Sequence, residues 1–248
     1  MQMLVDLRQV YAALETVLSC HASLPFIAPI YFPKELVRLA ALDDDLEFYG
    51  VNKSHVVPTG AALAYAAHLQ KLDPLLLISH AYVRYLGDLS GGQQLAARVR
   101  KALHLSEADG KGTRFYVFDQ VDDLAQFKAL FRQRLDSLTL TDDQAAGVVA
   151  EALRAFQLSA SLFDAIDDIN GGAPGTLKIK TAVASSSSSS SNEAPLTSLA
   201  LSPSPSATPK QRLQSKAPSS ALAGSRWPII VAVLMALLAA LSAFIVSL

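Results

Sequence analysis

A single cysteine, Cys20, stands in the 248 residues, so no internal disulfide can form, as expected of a chain kept in a reducing compartment. No HExxH or CxxC spacing occurs, and Cys20 with its neighbour His21 finds no closing ligand set, so no metal-ligating group is expected. Excess charge of either sign is also missing. Lys and Arg number 21 against 22 Asp and Glu, a formal net charge of −1, which argues against a nucleic-acid binder with its basic face. No N-terminal stretch has the pattern of a secretory signal.

What is present is apolar and helical in period. Hydrophobic residues make up 51% of the chain, enough for one globular domain with appendages. Met3 to Leu18 places Leu4, Leu7, Val10, Tyr11, Leu14 and Leu18 on one face of a helix that starts without an N-cap. Leu24 to Pro33 carries three prolines and reads as an extended connection, with Pro33 opening a helix over Lys34 to Leu42. A break at Val57 to Gly60 precedes a helix from Ala61 to Lys71, and Asp73-Pro74 restarts the helical period. Arg114 to Phe118 has the aromatic content of a strand, but no second strand to pair with. Asp122 to Leu138 is helical, and Thr141-Asp142-Asp143-Gln144 is a capping box opening a helix to about Asp168. The fold class is all-α.

The stretch that dominates the reading is Ile78 to Leu103, a helical pattern interrupted by Gly87, Gly91 and Gly92. Three interior glycines cost a helix about 2–3 kcal/mol relative to alanine. Gly87 and Gly91 share a helix face, with Asp88 and Ser90 beside it. Two uses fit: close helix packing with Arg84 and Asp88 as an exposed ion pair, or a bare strip against which a ligand lies. Lys128 and Arg132, four apart, present two cations together, either as a solvated face or as a receptor for anions. Phe156 fits the core, or the wall of a flat ligand. Leu89 to Gln93 also spells the signature pentapeptide of ABC-type ATPases. That match is coincidental, because the chain has no GxxxxGK[ST] loop and no βαβ alternation.

Past Gly171 the composition changes. Serine runs unbroken from Ser185 to Ser191 and prolines recur, the mark of a disordered linker over 171–225. Trp227-Pro228 then introduces twenty uncharged residues, Ile229 to Leu248, which reach roughly 30 Å as a helix, the span of a bilayer core. Lys210, Arg212, Lys216 and Arg226 precede this segment and favour a cytosolic globular part. The expected organisation is a helical domain over 1–170, a linker over 171–225 and a C-terminal transmembrane anchor over 226–248, with a tail anchor in the endoplasmic reticulum membrane.

The run HAYVRYLGDLSGGQ, from His80 to Gln93, resembles the distal-helix signature of the haem oxygenases, and SLPFIAPIYFPKELVRLAALDDDLEFYG is similar to the same family's pattern. The resemblance covers about residues 1–168. It implies a multi-helical fold that clamps haem, which is substrate and cofactor together, between a proximal and a distal helix. It also implies ring opening to biliverdin, CO and ferrous iron with O2 and electrons from NADPH. The implied partners are a membrane-bound flavoprotein reductase and, downstream, biliverdin reductase. On this resemblance Asp88 looks like the family's distal carboxylate, holding with Tyr11 a water network that delivers protons. Gly87 and Gly91 would let the backbone crowd the haem face. Lys128, Arg132 and Tyr82 would pair with the haem propionates, and Phe156 would line the pocket, while His80 is expected to be structural.

In that family the iron is held by a histidine on a helix preceding the stretch like Met3 to Leu18. None of His21, His55, His68, His80 and His104 stands there. The expectation is therefore a haem oxygenase, as an incomplete or short form that is weakly active or inactive. The alternative is a catalytically dead, membrane-tethered relative that acts through binding.

Overall fold

The computed structural model describes residues 1–52, 57–106, 110–169 and 171. The linker and membrane span expected over 171–225 and 226–248 lie outside these residues, apart from Gly171, and so does His55. Among the described residues every regular element is helical, as the sequence leads one to expect, and no helix is long and apolar enough to cross a membrane.

Helix α1 (Gln2–Cys20) is the axis of the domain. Its apolar face, with Val10, Tyr11 and Leu14 wholly buried, packs against α4 (Gly60–Lys71) and α3 (Leu39–Phe48). Two later helices, α5 (Leu77–Gly87) and α8 (Asp142–Ile169), lie against each other and close the core from the other side. Helix α5 is buried along nearly its whole length, Ile78 to Leu86 included, and its polar members Ser79, His80 and Arg84 are buried with it.

Polar side chains fix where the helices begin. Asp6, fully buried on α1, accepts bonds from the Thr59 amide at 2.9 Å and its hydroxyl at 2.7 Å, while Thr59 Oγ1 caps α4 by accepting from the Ala62 amide. Asp123 caps α7 (Leu124–Asp136) through the amides of Ala125 and Gln126. The capping box at α8 is formed in both directions. The Thr141 amide donates to Gln144 Oε1 at 3.0 Å, and the Gln144 amide donates to Thr141 Oγ1 at 3.2 Å.

Three connections differ from the sequence reading. Leu24 to Pro33 is coiled through successive turns, ending in a 3₁₀ turn at Ala28–Ile30, rather than extended. The helix expected over Lys34 to Leu42 is divided into α2 (Pro33–Leu36) and α3, because Val37 is extended and Arg38 turns inward. The buried Arg38 guanidinium donates to the carbonyls of Val37 at 2.8 Å and Val117 at 2.6 Å and lies 4.1 Å above the Phe118 ring. Finally, Arg114 to Tyr116 is a 3₁₀ turn instead of a strand. The buried Asp45 carboxylate on α3 accepts from the amides of Arg114 at 2.7 Å and Phe115 at 2.8 Å, so this turn is docked by a side chain and has no need of a strand partner.

Glu15 secures the α2–α3 break by accepting from the Arg38 amide at 2.6 Å. Burial pushes its pKa up to about 7, although the Arg38 and Leu39 amide bonds and the Arg38 charge oppose the rise. Between about pH 4.3 and 7 the folded chain then holds a proton that the unfolded chain has released, so stability falls as pH rises through that window. Urea unfolding at pH 5 and pH 8 checks this: Glu15→Gln is expected to remove about 2–3 kcal/mol of the parent's pH-dependent loss. Equal losses in the two proteins would contradict it.

Candidate functional site

The glycine-bearing stretch is not one α-helix. After Gly87 the chain passes through a π-helical segment, Asp88–Gly92, before resuming as α6 (Gln93–Ala102). A π segment places an extra residue in a turn and re-aims side chains, and it recurs at functional sites. Here it carries Asp88, the only acid in HAYVRYLGDLSGGQ, into the interior, where 8% of its surface stays exposed.

Two side chains converge on Asp88, and a third stands behind them. The Tyr11 hydroxyl, from the fully buried middle of α1, donates to Asp88 Oδ2. Arg84, one turn earlier on α5, brings its Nη2 within 3.8 Å of Asp88 Oδ1 and its Nη1 within 3.4 Å of Ser159 Oγ on α8. The Arg84–Asp88 pair is thus buried, not the exposed i, i+4 pair that its spacing alone allows. The aromatic floor is Tyr11 against Tyr85 and Phe115, with ring centroids 5.8 and 5.3 Å apart.

Burial raises the Asp88 pKa above the usual carboxylate range, against the pull of Arg84 and the Tyr11 bond. Burial and the adjacent Asp88 charge push Tyr11 well above an ordinary phenol. For Arg84 burial works towards neutrality, but Tyr11 and Asp88 outweigh it and keep the guanidinium charged. The group is a buried acid–phenol–cation cluster, suited to storing and passing a proton.

Beside the cluster is a cavity of about 50 Å³ lined by Met3, Leu7, Gly87, Asp88, Leu95 and Phe163, among others. Water occupies about 30 Å³ per molecule in the liquid, and pockets for organic ligands span roughly 300–1,000 Å³. This hollow therefore suits one or two ordered waters next to the carboxylate. The two bare glycines also differ from the third. A methyl group at Gly92 would stand 2.9 Å from Tyr116 Cδ1, so Gly92 is there for packing.

A second cluster lies where α7 meets the π segment. Lys128 Nζ donates to Ser90 Oγ at 3.3 Å. Burial and the neighbouring Arg132 charge lower the Lys128 pKa. The wholly buried Tyr82 hydroxyl and the Arg132 Nε have no hydrogen-bond partner. Arg132 is nonetheless close enough to oppose the rise that burial imposes on the Tyr82 pKa. Two neighbouring cations beside a buried phenol make a locally positive cluster that suits an anion such as a carboxylate.

The structure thus brings Tyr11, Gly87 and Asp88 together, and separately Tyr82, Lys128 and Arg132. Gly91 is buried within the π segment between them. Phe156 is half-buried against the core and lines the cavity in neither place, a position taken instead by Phe115 and Phe163. Of the four described histidines none lines the cavity. Arg84 and Ser159 belong to the site but were not legible as such, since the sequence shows no reason for Arg84 to turn inward. The available cue was that apolar residues surround Arg84 on α5, with Tyr82, Val83, Tyr85 and Leu86 beside it.

The family model for Heme oxygenase matches residues 1–165. Human Heme oxygenase 1 is 40% identical over 171 residues, covering 67% of this chain and 59% of that protein. Chicken Heme oxygenase 1 is 42% identical over 165 residues, covering 64% and 55%. The chain therefore aligns with somewhat over half the length of these relatives. Among solved structures, heme oxygenase-2 from Synechocystis in complex with heme and NO matches with a TM-score of 0.64 and 39% identity over 68% of this chain and 71% of that one. The heme oxygenase of Leptospira interrogans matches at 0.62 and 37% over 65% and 80%.

Gly92→Ala checks the packing assignment. It is expected to lower stability by about 1–3 kcal/mol, seen as a lower thermal midpoint, because Tyr116 must move. An unchanged midpoint would return Gly92 to the ligand-facing strip.

Proposed function

This chain belongs to the haem oxygenase family, and on that premise we propose that it degrades haem oxidatively to biliverdin, CO and ferrous iron. Haem is the substrate and supplies the iron at which O2 is reduced; NADPH supplies electrons through a flavoprotein reductase. The observation that carries the reading is the buried Tyr11–Asp88–Arg84 cluster beside a water-sized cavity, with Tyr82 on the same helix α5 as Arg84, and with Lys128 and Arg132 on α7, from which Lys128 reaches the π segment.

Each group has a definable task. The unpartnered Tyr82 hydroxyl and Arg132 Nε, with Lys128, fit the carboxylates on a porphyrin's rim and fix which edge of the ring turns inward. Gly87 and Gly91 leave backbone where side chains would hold the ring away. Burial raises the affinity of the Asp88 carboxyl for a proton, and Tyr11 and Arg84 hold that carboxyl in one orientation. A carboxylic acid acting through a water in the cavity delivers its proton more gently than one in direct contact.

A second reading, haem binding without turnover, is favoured by the histidines. His80 is held by Tyr65 and Glu151 and His68 by Glu151, so both imidazoles are engaged away from the Asp88 cavity. For the localisation, the apolar run 229–248 and its basic flank support a tail anchor in the endoplasmic reticulum, with the globular part in the cytosol and biliverdin reductase as a possible downstream partner.

Haem titration of the full chain, followed by reductase and NADPH, tests the proposal. Lys128→Ala with Arg132→Ala is expected to weaken haem binding about tenfold or more. Asp88→Asn is expected to leave affinity within about twofold while cutting biliverdin yield by about 10²-fold or more. Haem binding with no biliverdin from the parent would establish the second reading. No haem-dependent spectral change at all would remove both.

A further inference from the structure

Away from the cavity, α4, α5 and α8 each send one ligand-type side chain to a common point. We propose that His68, His80 and Glu151 form a binding site for a divalent transition-metal ion of the zinc class. Nε2 of His68 and Nε2 of His80 both bond the same Glu151 oxygen, Oε1, at 2.6 and 2.8 Å. The three ligand atoms lie within 4.8 Å of one another, and the two imidazoles stand 5.6 Å apart, tilted by 58°. Among the described residues this is the one such group of His, Cys, Asp or Glu.

The ligand atoms are near enough to close around one ion after small side-chain shifts. With metal–ligand bonds of about 2.0–2.2 Å, ligand atoms around a tetrahedral ion are separated by roughly 3.3–3.5 Å. Each histidine–carboxylate contact therefore has to open by only roughly half an ångström or slightly more. Two histidines with one carboxylate is the donor set of open zinc sites, with water as the fourth ligand. Water can reach it: the His68 and Glu151 side chains are 29% and 13% exposed, while His80 is fully buried.

The ligands are also in the right protonation state. Burial lowers the His80 pKa, so its imidazole is neutral near pH 7. Burial works against ionisation of Glu151, but its bonds to His80 and His68 outweigh that and hold it below the usual carboxyl range. The outer support is in place as well, with His80 Nδ1 lying 3.0 Å from the Tyr65 hydroxyl, which fixes the ring. Metal on Nε2 requires a proton on Nδ1, so that Nδ1 donates to Tyr65. The Tyr65 hydroxyl then turns to Ser159, whose Oγ is the partner of Arg84.

The test uses the full 248-residue chain with Cys20→Ser, which removes the lone exposed thiol, stripped by chelator and titrated with Co2+ or Zn2+. Expected is 1:1 binding in the micromolar range or tighter, read from Co2+ visible bands, untouched by excess Mg2+. Glu151→Gln and His68→Gln are expected to weaken it tenfold or more, and Tyr65→Phe by about 10- to 100-fold. In the Cys20→Ser chain itself, histidine nitrogen NMR should show the His80 proton moving to Nδ1 on adding Zn2+, a readout that needs no ligand variant. Absence of Co2+ bands at millimolar metal, or an His80 tautomer that ignores Zn2+, would overturn the proposal and leave a hydrogen-bonded clamp. Binding that survives all three ligand-side substitutions would overturn it equally.

Discussion

A carboxylate taken out of water must be compensated, and the domain is arranged to do that for Asp88. The compensation comes from three helices: the Tyr11 hydroxyl from α1, the Arg84 guanidinium from α5 and, behind Arg84, Ser159 from α8. An unpaired buried charge costs several kcal/mol, so these partners have to be present together and in register. That requirement fixes how α1, α5 and α8 cross, and it explains why the middle of α1 carries a fully buried tyrosine in an otherwise aliphatic face.

The π segment follows from the same constraint. A regular α-helix through Asp88 to Gly92 would keep a strict 3.6-residue turn. The wider turn lets Asp88 point to the cavity while Ser90 meets Lys128 on α7. One irregularity thus serves a proton-holding cluster on one side and an anion receptor on the other. Gly87 and Gly92 both line the cavity, and at Gly92 Tyr116 occupies the space a side chain would need. Tyr116 sits in the turn whose Arg114 and Phe115 amides are bound by Asp45 of α3.

Helices with local signals were legible in the sequence. The Thr141–Gln144 box, the Asp73-Pro74 restart and the apolar face of α1 all announce themselves within one or two turns of chain, and each is found where expected. What escaped depends on partners distant in sequence. The α2–α3 break exists because Arg38 reaches the carbonyl of Val117, and the 3₁₀ turn at Arg114 exists because Asp45 binds its amides. Arg84 reads as a surface ion-pair residue until α8 covers it. Likewise His68, His80 and Glu151 have no motif spacing, being brought together by the packing of three helices. In the site the acid, the tyrosine and the two cations were named from sequence, while Phe156 packs half-buried against the core and is not among the residues around the small hollow beside Asp88.

The central claim is that Asp88 is a buried acid held protonatable by its surroundings and steadied by Tyr11. Infrared titration of its carboxyl band, identified by its loss in Asp88→Asn, measures this directly. The band is expected to titrate clearly above the ordinary aspartate value of about 3.9, and to move higher still in Tyr11→Phe, where the phenol bond that favours the carboxylate is gone. A band titrating at the ordinary value, indifferent to Tyr11, would contradict the account.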